Sequence, residues 1–277
     1  MNICFIGGGN MAQAMMGGLV RQGISPRQLR VVEISDENRR RLESQGYVVF
    51  AEQDRQAVEG CAVIVLAVKP QQMKPVAQQL GPLLVEGQTV LSIAAGIRLT
   101  DLARWLQNQG AGFALVRAMP NTPALVGAGM TGLYSFPPRE LLAQRQVAQV
   151  EAIIGAMGSF VWIRGEEEMD AVTAVSGSGP AYFFYFIEAL EQAGVELGLS
   201  AQTARKLALE TALGAARLAH DSPDDPATLR ARVTSRNGTT ERALLSMEAD
   251  RVKQHIIKAV HAAAARSKEM GDELGSA

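Results

Sequence analysis

The amino-acid sequence predicts an α/β chain in which a doubly wound sheet is followed by an all-helical second part. Three observations predict it. Short β-branched runs alternate with polar-faced helical stretches through the first half of the chain. Several of those runs, Ala62 to Val68 above all, are apolar on both faces, as central parallel strands covered by helices on each side must be. After about Arg164 the β-runs stop, and Ala, Leu and Glu recur at helical spacing to the end.

In chain order, Asn2 to Ile6 reads as a strand, Asn10 to Gln22 as a helix and Arg30 to Glu33 as a strand. Asp36 to Gln45 follows as a helix with Ser35 as its N-cap. Further strands are expected at Tyr47 to Phe50, Val63 to Val68, Thr89 to Ile93, Phe113 to Met119 and Ser159 to Ile163, with a weaker one at Met130 to Ser135. The later helices are Glu167 to Val175, Ala181 to Leu197, Ala201 to His220 capped by Ser200, Ala227 to Val233, Thr240 to Asp250 and Val252 to Met270. SGSGP at Ser176 to Pro180 and the SRNGTT loop at Ser235 to Thr240 interrupt this helical part. The turn Arg164 to Glu166 divides the chain into two expected domains, 1–164 and 165–277.

Composition removes several function classes. The 27 Lys plus Arg nearly balance the 28 Asp plus Glu, so a net charge of −1 offers no basic field to nucleic acid or to an anionic membrane. The longest purely apolar stretch, Cys61 to Val68, falls far short of a membrane span. No basic leader precedes the first apolar run, so the expectation is a cytoplasmic protein beginning near Met1. Cys4 and Cys61 each sit inside an apolar run without metal-ligand spacing and read as core residues. The 27 glycines make it matter where glycine falls.

The sharpest local signal follows the first strand, where GGGNMA gives Gly7-x-Gly9-x-x-Ala12 and opens a helix. Gly7 permits the tight turn, Gly9 leaves room for a pyrophosphate, and Ala12 lets the helix pack on the strand: the fingerprint of a Rossmann-type dinucleotide domain. The helix N-terminus would then meet the phosphates. At the end of the second strand, Glu33 can accept hydrogen bonds from ribose hydroxyls and would repel a 2′-phosphate. Arg39, Arg40 and Arg41 pull the other way, so NADH and NADPH both remain open as cofactors. Three more strand ends, AVKP at Ala67 to Pro70, SIAAG at Ser92 to Gly96 and RAMPNTP at Arg117 to Pro123, point to the same sheet edge. Lys69 is the cation among these small residues. Asn121, between stiffening prolines, could donate to the cofactor or to a water. In the helical part, Ser235, Asn237, Gly238, Thr239 and Thr240 crowd hydroxyls and a flexible backbone before a helix, a place for a small carboxylate.

FIGGGNMA, AVKP, SIAAG, RAMPNTPA, AVSGSGPAY and VTSRNGTT, in this order and at these separations, resemble the pyrroline-5-carboxylate reductases, which complete proline synthesis. The resemblance covers essentially the whole chain, and the segment from Pro226 to Glu248 is its most specific part. It implies a nucleotide-binding domain followed by a helical substrate-binding domain that intertwines between two subunits, a homodimer often assembled into decamers. It implies that Gly7, Gly8, Gly9, Asn10 and Met11 hold the pyrophosphate. Ala67, Val68, Lys69, Ser92, Ile93 and Ala94 would line the rest of the cofactor site, with Glu33 and Ser35 at its ribose end. Val233, Ser235, Gly238, Thr239 and Thr240 would hold the substrate, 1-pyrroline-5-carboxylate, with Thr240 near the imine nitrogen. The implied reaction is hydride transfer from NADPH or NADH to the C=N carbon, giving L-proline, with no metal. Glu33 and Ile34 depart from the small or basic residues many relatives carry there.

Two other readings compete. GGGNMA before an all-helical half also resembles hydroxyacid dehydrogenases, which place a lysine and an asparagine on the first long helix of the second domain. Ala181 to Leu197 contains neither, so an alcohol oxidation would lack its base. A non-catalytic NAD(P)-sensing module would explain the first half and leave Ser235 to Thr240 unused.

Overall fold

The computed structural model describes residues 1–107 and 112–276. The expected domains 1–164 and 165–277 include residues 108–111 and 277, which lie outside the described residues. The chain forms two compact units, one of Met1–Ser178 with Ala263–Ala277 and one of Gly179–Ala262.

The first unit is built on an eight-stranded sheet in the order β3-β2-β1-β4-β5-β6-β7-β8. Its strands are β1 Ile3–Ile6, β2 Leu29–Val32, β3 Val48–Phe50, β4 Val63–Leu66, β5 Thr89–Ser92, β6 Ala114–Met119, β7 Gly129–Phe136 and β8 Gly158–Trp162. All eight lie where the β-runs placed them. Because side chains alternate along a strand, the apolar runs feed two cores at once. Ile3, Phe5, Val63 and Val65 join the core under α1 (Asn10–Arg21), α2 (Asp36–Ser44) and α6 (Gln144–Gly155). Cys4, Ile6, Ile64 and Leu66 join the opposite core under α3 (Arg55–Val58), α4 (Met73–Leu80) and α5 (Leu99–Leu106). Each large side chain fully buried this way contributes about 1.5–3 kcal/mol. Burial also pushes the Cys4 and Cys61 thiols up from their ordinary values, as inert core residues should be.

The sheet is not wholly parallel. β1 to β6 run together, but β7 pairs antiparallel to β6, and β8 then runs parallel to β7. The connection from Pro120 to Ala128 is a 3-10 turn over Thr122–Val126, too short for the crossover of a dozen or more residues that a parallel partner needs.

The helices fall close to their expected bounds, with one difference of kind. Ser176 to Pro180 does not break the chain. A short α7 (Met169–Val172) passes into a π-helical turn over Thr173–Gly177, closed by the Ser178 N–H donating to the Thr173 carbonyl at 2.8 Å. α8 (Gly179–Glu196) begins at once, with Pro180 in its first turn, where a missing N–H costs nothing. At Gly177 the Met119 side chain closes over the turn, with Cε 2.7 Å from where a Cβ would stand.

The second unit packs α8 against α9 (Ala201–Asp221), followed by α10 (Pro226–Arg232), α11 (Thr239–Ala249) and the start of α12 (Val252–Ser276). Ser200 caps α9 by accepting from the Thr203 N–H at 3.2 Å. Among the described residues, no helix is long and apolar enough to cross a membrane.

Candidate active site

The turn from β1 to α1 is shaped by three consecutive glycines, each for a different reason. Gly7 has φ +101°, and a Cβ there would meet the Ala67 carbonyl oxygen at 2.8 Å. A Cβ on Gly8 would press on Leu42 Cδ1 at 2.8 Å and on Glu33 Oε2 at 3.1 Å. Gly9 is the N-cap of α1, in extended conformation with no side-chain capping bond, and a Cβ built on it meets nothing within 4 Å. An uncapped helix start facing open space over a glycine is the cradle a pyrophosphate needs, so the residues present fit a dinucleotide. Gln13 steadies the turn by donating from Nε2 to the Gly8 carbonyl at 2.6 Å.

A cavity of about 660 Å³ opens from this turn along the carboxyl ends of β1, β2 and β4. Of the expected cofactor residues, Gly7, Gly8, Gly9, Glu33, Ala67, Val68 and Lys69 line it. Glu33 is held at two points: Oε2 accepts from the Gly8 N–H at 3.2 Å and Oε1 from the Ser35 N–H at 2.9 Å. A carboxylate has about four acceptor positions, so two remain for hydroxyls. Arg39 is turned back on the backbone. Its Nη1 donates to the Glu33 and Ile34 carbonyls, both at 2.9 Å, and its Nη2 pairs with Asp36.

The other expected residues lie off this cavity. Asn10 and Met11 form the first turn of α1, with Met11 packed against the core. Ser35 caps α2 through the Asn38 N–H at 3.4 Å. Ser92 is fully buried, its hydroxyl accepting from the Ala94 N–H at 3.4 Å, while Ile93 packs on the core and Ala94 is buried. The Asn121 amide is engaged by the protein itself. Its Nδ2 donates to the Ser176 carbonyl at 3.1 Å, and its Oδ1 accepts from the Met130 N–H at 2.9 Å. These bonds fix the Asn121 side chain against the Ser176 turn and β7. Sequence reasoning missed Gln53, which lines the cavity and donates to the Val76 carbonyl at 3.1 Å; a glutamine in a polar loop carries no signal of that.

The second unit carries the other expected cluster. Asp225 caps α10 through the Thr228 N–H at 2.8 Å, and this bond, with one from the Thr228 hydroxyl, holds the Asp225 carboxyl below its ordinary value. After α10 the chain turns tightly: Thr234 donates to the Arg230 carbonyl at 2.6 Å and the Gly238 N–H to the Ser235 carbonyl at 3.0 Å. Asn237 sits at φ +58°, its N–H donating to Glu241 Oε2 at 2.7 Å. Glu241 thus fixes the crest of the loop, a role the sequence pattern had not shown. Gly238 caps α11 without a side-chain bond, and a Cβ there would collide with the Ser235 hydroxyl. Val233, Ser235, Thr239 and Thr240 are exposed beside this second uncapped helix start, an arrangement that suits a small carboxylate.

Fold and glycine turn together define a dinucleotide-binding α/β protein. Residues 2–96 match the family model described as NADP oxidoreductase coenzyme F420-dependent, and residues 166–270 match the model for pyrroline-5-carboxylate reductase dimerisation. The chain is 45% identical to a pyrroline-5-carboxylate reductase of Pseudomonas aeruginosa over 99% of its own length and 98% of the relative's. Among solved structures it is similar to a pyrroline-5-carboxylate reductase from Coxiella burnetii, with TM-score 0.89, 39% identity and coverage of 97% and 98%. It is also similar to the Plasmodium falciparum pyrroline carboxylate reductase with NADP bound, with TM-score 0.84, 30% identity and coverage of 98% of both chains. The chain belongs to the pyrroline-5-carboxylate reductase family.

Proposed function

We propose that this chain reduces the C=N bond of 1-pyrroline-5-carboxylate to L-proline, the last step of proline biosynthesis, with a reduced nicotinamide dinucleotide as hydride donor. The observation that carries this is the pairing, in one chain of this family, of a glycine turn shaped for a dinucleotide with an uncapped, hydroxyl-rich helix start at Ser235 to Thr240. The hydroxyacid dehydrogenase reading is set aside by the family membership.

The bound cofactor supplies the hydride. The Gly7 to Met11 turn takes the pyrophosphate on backbone N–H groups, and Glu33 takes the ribose. Ala67, Val68 and Lys69 line the cavity toward the nicotinamide, with Ser92 to Ala94 and Asn121 shaping the neighbouring strand ends. In the second unit, Val233, Ser235, Gly238, Thr239 and Thr240 hold the substrate's carboxylate and ring. Thr240 donates a hydrogen bond to the imine nitrogen or orders a water there. A threonine hydroxyl is a weak acid, so its contribution is position. A protonated imine is already electrophilic, and this positioning suffices without a metal.

Residues 1–164 serve as the dinucleotide domain and 165–277 as the substrate-binding and dimerisation domain of a cytoplasmic homodimer, with decamers as the higher assembly. The test is to supply pyrroline-5-carboxylate with NADH or NADPH and follow nicotinamide absorbance and L-proline formation. Turnover is expected. Binding of nucleotide with no turnover on either cofactor would instead mark a non-catalytic sensor.

A further inference from the structure

We propose that Glu33 makes this chain an NADH-preferring reductase, excluding the 2′-phosphate of NADPH; the inference rests on the reductase reading above. The Glu33 carboxylate is anchored at the ribose end of the cavity. Its two oxygens are held by the N–H groups of Gly8 and Ser35, at 3.2 and 2.9 Å. The fixed negative charge therefore belongs to the architecture of the phosphate turn itself.

Among the described residues, no cation lines the cavity on the side of Glu33. The charged residues lining the cavity are Glu33, Glu52 and Lys69. Both acids stand on the β2 and β3 side of β1, where the adenosine ribose of a dinucleotide belongs, and Lys69 stands beyond β4, on the other side. Arg39, at the start of α2, is already turned toward the protein: its Nη1 donates to the carbonyls of Glu33 and Ile34, and its Nη2 pairs with Asp36. Arg41 donates to the Asn38 side chain at 3.1 Å, and Arg40 is exposed on α2 outside the cavity lining. Turning Arg39 wholly toward a 2′-phosphate would exchange its bonds to the two carbonyls and to Asp36 for bonds to the ligand. A 2′-hydroxyl, by contrast, can donate to an acceptor position that Glu33 has left open.

The test is direct binding of NADH and NADPH to the full-length enzyme by nicotinamide fluorescence, beside the same titrations on Glu33→Gln. The wild type is expected to bind NADPH at least about 10-fold more weakly than NADH, as like charges set against each other require. Glu33→Gln keeps an acceptor oxygen and removes the charge, so it is expected to narrow the ratio mainly by tightening NADPH. A misfolded variant cannot mimic a gain of affinity. Equal or tighter NADPH binding in the wild type, with turnover intact, overturns the preference and leaves the reductase reading standing, as does a ratio unmoved by Glu33→Gln. Failure to bind either nucleotide overturns the reductase reading and this inference with it.

Discussion

Gly7 and Gly9 stand two residues apart and obey different constraints. Gly7 is required by the protein: its positive φ and the Ala67 carbonyl at 2.8 Å leave no place for a side chain. Gly7→Ala is therefore expected to lower stability by about 1–3 kcal/mol and to impair nucleotide binding. At Gly9 the protein makes no such demand, since a Cβ there meets nothing within 4 Å, and in the proposed reading the pyrophosphate is what requires glycine. Gly9→Ala is expected to cost less than about 1 kcal/mol of stability. It should still weaken nucleotide binding by about 10-fold or more, since each tenfold corresponds to about 1.4 kcal/mol. Thermal unfolding paired with nucleotide titration separates the two cases, and equal stability loss in both variants would show that Gly9 is structural. The sequence pattern already named these glycines, because a phosphate turn demands glycine at set spacing. It could not show that Gly8 packs on Glu33, or that Asn121 braces the Ser176 turn, because both depend on residues far apart in the chain.

At the scale of elements, the β-runs were legible because apolar alternation feeding two cores is a strong local pattern. The short helices α3, α4 and α5 were not, since four to eight residues give too few turns for a period to declare itself. The reversal of β7 was hidden for another reason: strand direction is set by the length and course of the connection, not by the strand's own residues. One contact between a buried arginine and a half-buried glutamate binds several of these elements. Glu166 Oε1 accepts from Arg117 Nη1 on β6 at 2.9 Å and from the Leu99 N–H at the start of α5 at 2.7 Å, and Arg117 is 4% exposed. Removing the acid strands a buried guanidinium and a helix-start N–H together. Glu166→Ala is expected to destabilise the protein by about 3–5 kcal/mol, measured by chemical denaturation. A loss below about 1 kcal/mol would mean that water reaches Arg117 and the pair acts as a surface bridge.

On the scale of the whole molecule, the two units differ in what they leave uncovered. The first buries two large apolar cores and exposes apolar side chains singly or in pairs, whereas α8 in the second exposes Phe183, Phe184, Tyr185 and Phe186 in succession. Four consecutive exposed aromatics on one helix are the mark of a surface completed by another chain, in keeping with the dimerisation model that this region matches. The helical periodicity made these helices readable, but periodicity alone cannot say whether an apolar face meets its own chain or a partner. In the proposed division of labour, the cofactor belongs to the sheet unit and the substrate to the loop between α10 and α11. That division is tested most directly by measuring, for Thr240→Ala, kcat/KM for pyrroline-5-carboxylate beside the dissociation constant for the reduced nucleotide. The expected result is that kcat/KM falls at least about 10-fold while nucleotide affinity stays within about twofold. A parallel loss of both, or an unchanged kcat/KM, would contradict it.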